Sequence, residues 1–579
     1  MNVIDFNNAN CKHCYKCVRN CSVKAISVIN EQAHIIKEAC ILCGHCLEIC
    51  PQNAKTFASD MERVKGYLRN GERVIISIAP SYVGVLDFEK PGQIVDALLK
   101  LGFYEVRETA EGAALVTREY QRLLREGKME NMITTCCPSV NEMIEKYYPS
   151  LTKYMLPVVS PMIAHGRLIR KLYGEDIKVV FLGPCVAKKE EAVGDARVFG
   201  AIDAILTFEE IEDWFEKEGI EVHKCEEKQM ANPPVNVNGL YPISGGVVQS
   251  VLAEYKMEGY SRLYVDGIEE CRQLFESMEN GDLDHCFVEV NMCKGGCVKG
   301  PASNNWNKSF VKARVNVEKQ VADRSPASLV IRTLNVPLTK KFYNKHRTEK
   351  MPTEAELIDI LRSMGKIKPS DELNCSACGY PTCRDKAVAV YQGKAELDMC
   401  LPYAIAKAES MSNVVLDITP NLILIIDKDL RLRECNKSAQ MFLGVSREDA
   451  LKSFIFEYIE TQDIEQVLAT KEPIIDKKVN LPQIDLIAEE KIVYIDEMDS
   501  VLVIYEDVRK REMAKEKHLQ LKMETIEMAQ KVIDKQMMVA QEIAGLLGET
   551  TAETKVTLTK LRDSILDDEE GCLCHWHRP

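Results

Sequence analysis

Two cysteines, Cys293 and Cys297, follow a short apolar segment that predicts a buried strand over 286–290. Gly295 and Gly296 between them let the backbone turn tightly, so that both thiols can face one metal centre. Thiolates of this kind are the usual ligands of iron–sulfur clusters. Two cysteines do not complete such a ligand set, and a pair of buried structural cysteines would show the same pattern. Further ligands must come from elsewhere in the chain.

Two runs of cysteines lie near the start of the chain, both with the spacing C-x2-C-x2-C-x3-C. This repeat is the pattern of bacterial two-cluster ferredoxins, in which the fourth cysteine of each run binds the cluster of the other run. The rule assigns one 4Fe–4S cluster to Cys11, Cys14, Cys17 and Cys50, and a second to Cys40, Cys43, Cys46 and Cys21. Zinc knuckles would instead need pairs of Cys/His pairs. We therefore predict an electron-carrying two-cluster domain over 1–62.

Composition limits the classes of protein to consider. The chain has 579 residues, 46% of them hydrophobic and 28% charged, which suggests about four domains. A net charge of -14 argues against nucleic acid or an anionic membrane as the main partner. The sequence shows no apolar run long enough to span a membrane and no secretory signal. The 23 cysteines cluster at short spacings, which favours metal over disulfides and predicts a reducing cytoplasm.

Strands and helices alternate from about residue 73 onward. Apolar segments predict strands at 74–78, 104–107, 178–183 and 204–206. Helices are predicted at 92–101 and 208–218, and a third helix follows the strand at 104–107 and ends at Leu123. Alternation of this kind predicts an α/β region with mostly parallel sheets inside a multidomain α/β protein.

Two more cysteine motifs end apolar strands in this region: TTCCP at 134–138 and PCVAKKEE at 184–191. The ends of strands are where α/β folds build their sites. With Cys293 and Cys297, these motifs supply four thiolates for a third cluster and one spare thiol. In this order, TCCP, PCVAKKEE and EVNMCKGGCVKG resemble the three signatures of FeFe-hydrogenases, over about 65–365. The segment 79–81 also resembles the part of that family that lies against a diiron ligand.

The resemblance implies a role for each matching residue. A 4Fe–4S cluster would be bound by Cys137, Cys185, Cys293 and Cys297. Cys297 would also bridge to a diiron subcluster that carries CO and cyanide, and Cys136 would exchange a proton with that subcluster. Lys188, Pro80 and Ser81 would hydrogen-bond or pack against the cyanide ligands. The alternative for Lys188 is a solvated lysine in the charged run 188–191.

The sequence departs from the family's pattern around this site. Active members carry methionine two residues before the second- and third-motif cysteines, where this chain has Gly183 and Asn291. They also carry spaced glutamates on the helix before the first motif, where 115–123 has only Glu119, and 156–159 is apolar where a relay hydroxyl is expected. A broken proton path predicts slow turnover and a site that could act as an H2 receptor.

A fourth cysteine set lies within 366–405. Cys375, Cys378, Cys383 and Cys400 resemble the small four-cysteine Fe–S domain of corrinoid and CO-dehydrogenase-associated proteins. Gly379 and Pro381 turn the loop, and a helix over 384–396 is expected to return the last ligand. Zinc also suits a single four-cysteine site. Iron is preferred because three clusters are already implied.

Beyond residue 410 cysteines become rare and the pattern changes. Two strands joined by an Asp-Lys-Asp turn, a helix from Ser438 to Leu443, a capping signal at Ser446 and a closing strand at 501–505 resemble a PAS domain over 411–508. No heme or flavin motif stands out, so we prefer a relay role to ligand sensing. Cys435 is predicted to be a small buried residue.

The segment 509–579 predicts signalling helices and a tail. A coiled-coil seam is formed by Leu519, Ile526, Ile533, Ala540 and Leu547, with Met523, Gln530, Met537 and Ala544 interleaved. Gly545 and Gly548 end the seam, and 550–553 caps a shorter helix. A dimer, a partner helix, or a helix packed on its own PAS domain would all fit this pattern.

Taken together, the chain resembles the sensory FeFe-hydrogenases that end in PAS modules. The expected function is H2 binding with slow turnover, electron relay through 4Fe–4S clusters, and signalling through the PAS domain. Expected partners are H2 and protons, a redox partner such as ferredoxin, a separate output protein and a second copy of the chain, with no nucleic acid and no membrane. The alternatives are a fully catalytic ferredoxin-linked hydrogenase and a 4Fe–4S redox sensor without the diiron subcluster.

Overall fold

The computed structural model describes residues 3–7, 10–234, 237–303, 309–323, 334–544, 556–557 and 559–560. The chain divides into two compact units, Met1–Ala404 and Ile405–Pro579. The first three predicted domains thus share one unit. Of the helices that the structure describes, none is long and apolar enough to cross a membrane.

The N-terminal segment is built from short elements around its cysteine runs. They are β1 (Ile4–Phe6), α1 (Lys16–Asn20), β2 (Ile26–Ile29), β3 (Gln32–Ile35), α2 (His45–Glu48) and β4 (Lys55–Phe57). Strand β1 pairs antiparallel with β4, and β2 with β3. Asn30 and Glu31 close the second hairpin with positive φ angles of 50° and 62°, as tight hairpin turns require. Most of the cysteines lie in the loops beside α1 and α2.

The central region contains two parallel sheets and their covering helices. Its elements are α3 (Met61–Arg69), β5 (Val74–Ile78), α4 (Tyr82–Val85), α5 (Pro91–Lys100), β6 (Glu105–Glu108), α6 (Ala110–Glu126), β7 (Met132–Ile133), α7 (Pro138–Tyr147), α8 (Pro161–Tyr173), β8 (Lys178–Gly183), α9 (Ala187–Val193), β9 (Ala204–Thr207), α10 (Phe208–Lys217), α11 (Gly246–Leu252), β10 (Ser261–Asp266), α12 (Ile268–Glu279), β11 (Cys286–Asn291) and α13 (Phe310–Ala322).

The four-stranded sheet has the order β6-β5-β8-β9, and the three-stranded sheet has the order β10-β11-β7. All pairings in both sheets are parallel, as the alternation of strands and helices predicted. Every residue of β5, β9 and β11 is buried. Such continuous apolar strands are typical of parallel sheets that are covered on both faces.

Two further helices belong with the four-cysteine segment. They are α14 (Glu354–Ser363) and α15 (Cys383–Tyr391), and their shared core contains Leu357, Leu361 and Ala387 together with Cys400. Helix α14 lies inside the range predicted for the hydrogenase-like domain but packs on the four-cysteine segment. The predicted helix over 384–396 was too long: α15 ends at Tyr391 because Gly393, with φ of +67°, turns the chain out of the helix.

The second unit is an antiparallel sheet flanked by helices. Helix α16 (Leu401–Ile418) leads into β12 (Leu422–Asp427), β13 (Leu432–Cys435), α17 (Lys437–Leu443), α18 (Arg447–Ala450), α19 (Gln462–Thr470), β14 (Ile474–Leu481), β15 (Leu486–Ile495), β16 (Ser500–Asp507) and α20 (Arg509–Ala544). The strand order is β13-β12-β16-β15-β14. Asp427 closes the β12–β13 turn by accepting hydrogen bonds from Asp429 and Arg431 backbone N–H groups at 2.9 and 3.0 Å.

Helix α20 is exposed along most of its length. Near its start, ion pairs join Glu512 to Lys478 and Arg511 to Glu489 of the sheet. Farther along, Leu519 and Met523 are 49% and 63% exposed. The predicted Leu547, Gly545, Gly548 and the cap at 550–553 lie outside the described residues.

A buried polar network ties the four-stranded sheet to helices α6 and α8. His165 on α8 hydrogen-bonds to Ser77 of β5 through Nδ1 at 2.7 Å and to Glu111 of α6 through Nε2 at 3.0 Å. Arg107 of β6 forms an ion pair with the same carboxylate at 2.9 Å. Burial lowers the pKa of His165, although Glu111 opposes the shift, and Glu111 itself has a lowered pKa because His165 and Arg107 outweigh its burial. The folded state therefore holds a neutral histidine.

This network predicts that the first unit loses stability when the pH falls below the usual histidine pKa of about 6.5. The unfolded chain then binds a proton at His165 that the folded chain does not, so the free energy of unfolding drops, by up to about 1 kcal/mol between pH 6.5 and 5.5. Urea unfolding at pH 7.5 and 5.5 should show this extra loss in the wild type and not in His165→Gln. An equal pH dependence in both proteins would contradict the neutral assignment.

Candidate functional site

The ends of parallel strands from both sheets meet at one cavity of the central region. Cys136 and Cys137 follow β7, Cys185 follows β8, and Cys293 and Cys297 follow β11. All five cysteines line a cavity of about 110 Å³. The carboxyl ends of parallel strands are the usual position of sites in α/β folds. The four predicted metal ligands and the spare thiol are thus brought together, although their motifs are far apart in the sequence.

The turn between Cys293 and Cys297 depends on its two glycines. Gly295 and Gly296 have φ angles of +85° and +88°, which side chains rarely adopt. A Cβ atom at Gly296 would also lie 2.5 Å from the carbonyl oxygen of Pro242. The backbone can therefore fold back and turn both thiols to the same cavity only with glycine here.

Most of the cavity wall is apolar. The apolar side chains are those of Ala79, Pro80, Pro138, Pro161, Met162, Phe181, Pro184, Tyr241, Pro242, Val247, Met292 and Pro301. The polar lining includes Ser81, Thr109, Lys188 and Asn291. A few polar groups in an apolar cavity hold a ligand in one orientation and keep water out.

Ser81 has a buried hydroxyl without a hydrogen-bond partner among the residues that the structure describes. The residue is fully buried and lies at the cavity. An unpaired buried hydroxyl is costly unless something else in the site bonds to it. Together with the soft thiols, it shows that the residues present fit an iron–sulfur group with a further hydrogen-bonding ligand.

Lys188 is buried, which excludes the solvated alternative. Its ammonium donates hydrogen bonds to the carbonyl oxygen of Cys136 at 3.2 Å and to Glu191 Oε2 at 2.6 Å. Burial alone would lower the pKa of Lys188, but Glu191 raises it above its usual value. Glu191 is also bonded by Ser160 at 2.9 Å and by Lys340 at 3.4 Å. The lysine therefore stays charged beside the cavity.

Cys136 contacts a tyrosine rather than a carboxylate. Its sulfur lies 3.3 Å from the hydroxyl of Tyr120 on α6, and the same hydroxyl accepts a hydrogen bond from the backbone N–H of Thr135 at 3.0 Å. The hydroxyl proton of Tyr120 is therefore available to the Cys136 sulfur. Burial raises the pKa of the Cys136 thiol to about 12, and the contact with Tyr120 opposes that shift.

The departures noted in the sequence have structural counterparts. At Gly183, a Cβ atom would lie 2.7 Å from the ring of Phe181, so the phenylalanine ring occupies that space at the cavity wall. Glu119 forms an ion pair with Arg122, whose side chain is largely exposed, and does not contact Cys136. The carbonyl oxygens of Leu156 and Val158 accept hydrogen bonds from Thr135 Oγ1 at 3.1 and 2.8 Å.

The structure adds one buried acid that sequence patterns did not single out. Glu289 lies in β11 and accepts hydrogen bonds from the backbone N–H groups of Gly245 and Val248 and from the amide of Asn291, each at 3.0 Å. Burial outweighs these donors and raises the pKa of Glu289 to about 7. Its position within the third motif was visible in the sequence, but its two backbone partners lie 44 and 41 residues away.

Twelve other cysteines make up the three further quartets that the sequence predicts. Cys11, Cys14, Cys17 and Cys50 line one cavity, and Cys375, Cys378, Cys383 and Cys400 line another. Burial raises the pKa of Cys43, and the thiols of Cys46, Cys21 and Cys40 raise it further. Cys43 also lines the central cavity. Across the described part of the chain, no three Cys, His, Asp or Glu side chains gather closely enough to hold a single metal ion.

Three family models match separate parts of the chain. Residues 3–51 match a 4Fe–4S dicluster domain, residues 72–301 match the C-terminal domain of the iron-only hydrogenase large subunit, and residues 371–402 match an Fe–S cluster family. Over residues 72–301 the chain is therefore similar to FeFe-hydrogenases. The two cysteine-rich segments on either side of this region are similar to Fe–S cluster domains, which supports an iron–sulfur protein with a hydrogenase-like centre.

Individual relatives agree over part of their length. Iron hydrogenase 1 of Clostridium pasteurianum is 27% identical over 381 residues, covering 48% of this chain and 66% of that protein. A solved FeFe-hydrogenase is 19% identical with a TM-score of 0.43, covering 50% of this chain and 100% of that one. The PAS domain of an HTR-like protein from Haloarcula marismortui is 18% identical with a TM-score of 0.16, covering 18% of this chain and 96% of that one. The chain spans 56 to 66% of the curated hydrogenases that it matches first.

The unpaired hydroxyl of Ser81 gives a test of the hydrogenase-like cavity. In protein prepared without its cofactor, Ser81→Ala loses no protein hydrogen bond and should leave the free energy of unfolding unchanged or raise it by about 1 kcal/mol. The matched control is Ser160→Ala, which loses the bond to Glu191 and should cost about 1–3 kcal/mol. Denaturant unfolding of both variants measures this. A clear loss of stability in Ser81→Ala would show that the hydroxyl has a protein partner after all.

Proposed function

We propose that this chain binds H2 at a diiron centre in the central cavity, turns it over slowly, and passes the resulting redox state to its C-terminal unit. The observation that carries the proposal is the cavity itself, where four thiols and an unpaired buried hydroxyl converge. Its residues match those that the family resemblance assigns to an H-cluster. The hydrogenase family model covers this whole site.

In this proposal each residue has a chemical task. Cys137, Cys185, Cys293 and Cys297 would hold a 4Fe–4S cluster, and Cys297 would also hold a diiron unit with CO and cyanide ligands. The cofactor, when bound, supplies the cleavage of H2. Lys188 and Ser81 would donate hydrogen bonds to the anionic ligands, Pro80 would pack against them, and Cys136 would carry a proton to and from the site.

Slow turnover is proposed from the surroundings of Cys136. Burial raises the pKa of Tyr120 well above its usual value, so its hydroxyl stays protonated and exchanges protons less readily than a carboxylate would. Glu119 faces Arg122 instead. The carbonyl oxygens of Leu156 and Val158, in the segment where a relay hydroxyl was expected, already accept hydrogen bonds from Thr135. A fast catalyst remains the second candidate, because Cys136 itself lies at the cavity.

For the C-terminal unit we propose a PAS domain that relays signals rather than binding a ligand. The antiparallel sheet with helices α17 to α19 between β13 and β14 supports this. Cys435 is 2% exposed within its core, as expected of a packing residue. We further propose a redox partner such as ferredoxin and a separate output protein.

Infrared spectroscopy tests the proposed centre. Anaerobically matured protein should show CO and cyanide bands that shift when argon is replaced by H2. Viologen-dye turnover should be slow relative to catalytic family members measured under the same conditions. Fast turnover would favour a working ferredoxin-linked hydrogenase.

A spectrum without such bands, from protein with full iron content, would contradict the diiron centre. The chain would then be a redox sensor based on its 4Fe–4S clusters alone. Iron content per chain is the control that separates this result from failed cluster loading.

We also propose that α20 pairs with a second copy of the chain. Its 36 residues extend over about 54 Å, and its seam is not covered by the sheet beyond the first turns. Met537→Lys places a charge in the seam and should convert a dimer to a monomer in light-scattering measurements. The matched control, Met528→Lys, lies on the opposite side of the heptad and should leave the dimer intact. A monomeric wild type at micromolar concentration would refute self-pairing.

A further inference from the structure

The four-cysteine module, residues 366–400, is joined to the N-terminal two-cluster segment by close backbone contacts. The backbone N–H of Val28 in β2 donates to the carbonyl oxygen of Lys394 at 2.9 Å. Arg19 donates to the carbonyl oxygen of Ala377 at 3.1 Å. Gly379, with φ of +96°, lies so near α1 that a Cβ atom there would be 3.0 Å from Val18 Cγ1. The loop that holds Cys375 and Cys378 thus packs directly on α1, the helix that contains Cys17 and ends just before Cys21.

The side chain of Lys24 bonds to both the two-cluster segment and the four-cysteine module. Its ammonium donates to the carbonyl oxygens of Val18 at 3.2 Å and Arg19 at 3.1 Å, and to that of Gly379 in the other module at 2.7 Å. Its backbone has φ of 47°, which is unusual for a lysine. Each of the three ammonium protons thus has a carbonyl partner. Burial lowers the pKa of Lys24, and the thiols of Cys21 and Cys378 oppose that shift from either side.

Tyr380 lies in the same junction. Its ring belongs to the core that both modules share, next to Cys21 and Cys378, and the Lys24 ammonium lies 5.9 Å from the ring centre. Its hydroxyl is buried and has no partner within the described residues. Iron–sulfur clusters accept hydrogen bonds at their sulfurs, and such bonds tune their potentials. The unpaired hydroxyl therefore fits a cluster acceptor that belongs to one of the two neighbouring quartets.

The junction involves one particular cluster of the two-cluster segment. Cys21 belongs by the spacing rule with Cys40, Cys43 and Cys46, and its thiol acts on the pKa of Cys43. Cys43 also lines the central cavity. Cys17 of the outer quartet shares the core around Tyr380, but the thiols that act on the pKa values of Lys24 and Tyr380 are those of Cys21 and Cys378. The quartet that these two side chains face is thus the inner one, which also reaches the central cavity. The outer quartet, with Cys11 and Cys14, lines a separate cavity.

We propose that Lys24 and Tyr380 connect the four-cysteine centre directly to the inner centre, which gives the inner centre a second route for electrons besides the outer one. With clusters bound in both quartets, one electron would pass between them, so that one centre would be oxidised as the other is reduced, with no bond or proton change. The nearby ammonium and hydroxyl favour the more negative, reduced state of both centres. The proposal rests on the proposed function only in requiring that both quartets hold iron–sulfur clusters.

Redox titration followed by electron paramagnetic resonance tests this in the full-length, cluster-loaded protein. Lys24→Met should make the reduction potentials of the inner and four-cysteine centres more negative, lowering their reduced-to-oxidised ratio at least tenfold at a given potential, or about 59 mV for one electron. The outer centre should not change and serves as an internal reference. Loss of one signal in Cys383→Ser identifies the four-cysteine centre.

Two further variants complete the design. Tyr380→Phe keeps the ring, loses no protein hydrogen bond and should shift one of the same two potentials without lowering the stability of cluster-free protein. Lys128→Met removes the same charge at an exposed position, where the side chain is 78% exposed, and should shift nothing. Tyr380→Phe keeps the proposal testable if Lys24→Met does not fold.

The outcomes separate this proposal from the one on which it rests. Unshifted potentials in Lys24→Met and Tyr380→Phe, with all signals present, would overturn the junction and leave the proposed function standing. A shift of the outer centre instead would also overturn it. Absence of the four-cysteine signal from wild-type protein would overturn both the junction and that part of the proposed cofactor set.

Discussion

The central region depends on burying four thiols where two parallel sheets meet. Burial raises the pKa of Cys185 to about 11 and that of Cys293 well above its usual value, so the thiolate forms are unfavourable without a cation. A metal centre removes that cost because it binds the thiolates directly. The protein scaffold must therefore hold the thiols in place without help from the cofactor. The fully buried strands β5, β9 and β11 supply the packed core that does this.

The same constraint explains the charges around the cavity. Lys188 can remain an ammonium in an apolar site only because Glu191 lies 2.6 Å away. Glu191 in turn is compensated by Lys340 and by the hydroxyl of Ser160. Ser81 lacks such compensation among the described residues, and so it is the polar group most directly available to a bound ligand.

Much of this could be predicted from local sequence, and the rest could not. Ligand spacing is local, so the cysteine quartets and the strand ends at Cys137, Cys185 and Cys293 followed from motifs. The end of α15 at Tyr391 was missed because one glycine outweighed a continuing helical pattern. The contact between Tyr120 and Cys136, and the ring of Phe181 at Gly183, depend on how separate elements pack, which no spacing reveals.

The long separation between Cys21 and Cys378 shows why packing matters for function. More than 350 residues lie between these cysteines, yet one lysine side chain bonds to backbone next to both. The four-cysteine module is therefore packed into the first unit and is not a separate domain on a flexible linker. Its last ligand, Cys400, immediately precedes α16, the helix that leads into the second unit. The fold therefore places the last of these four cysteines directly at the start of the helix through which the chain continues to its C-terminal unit.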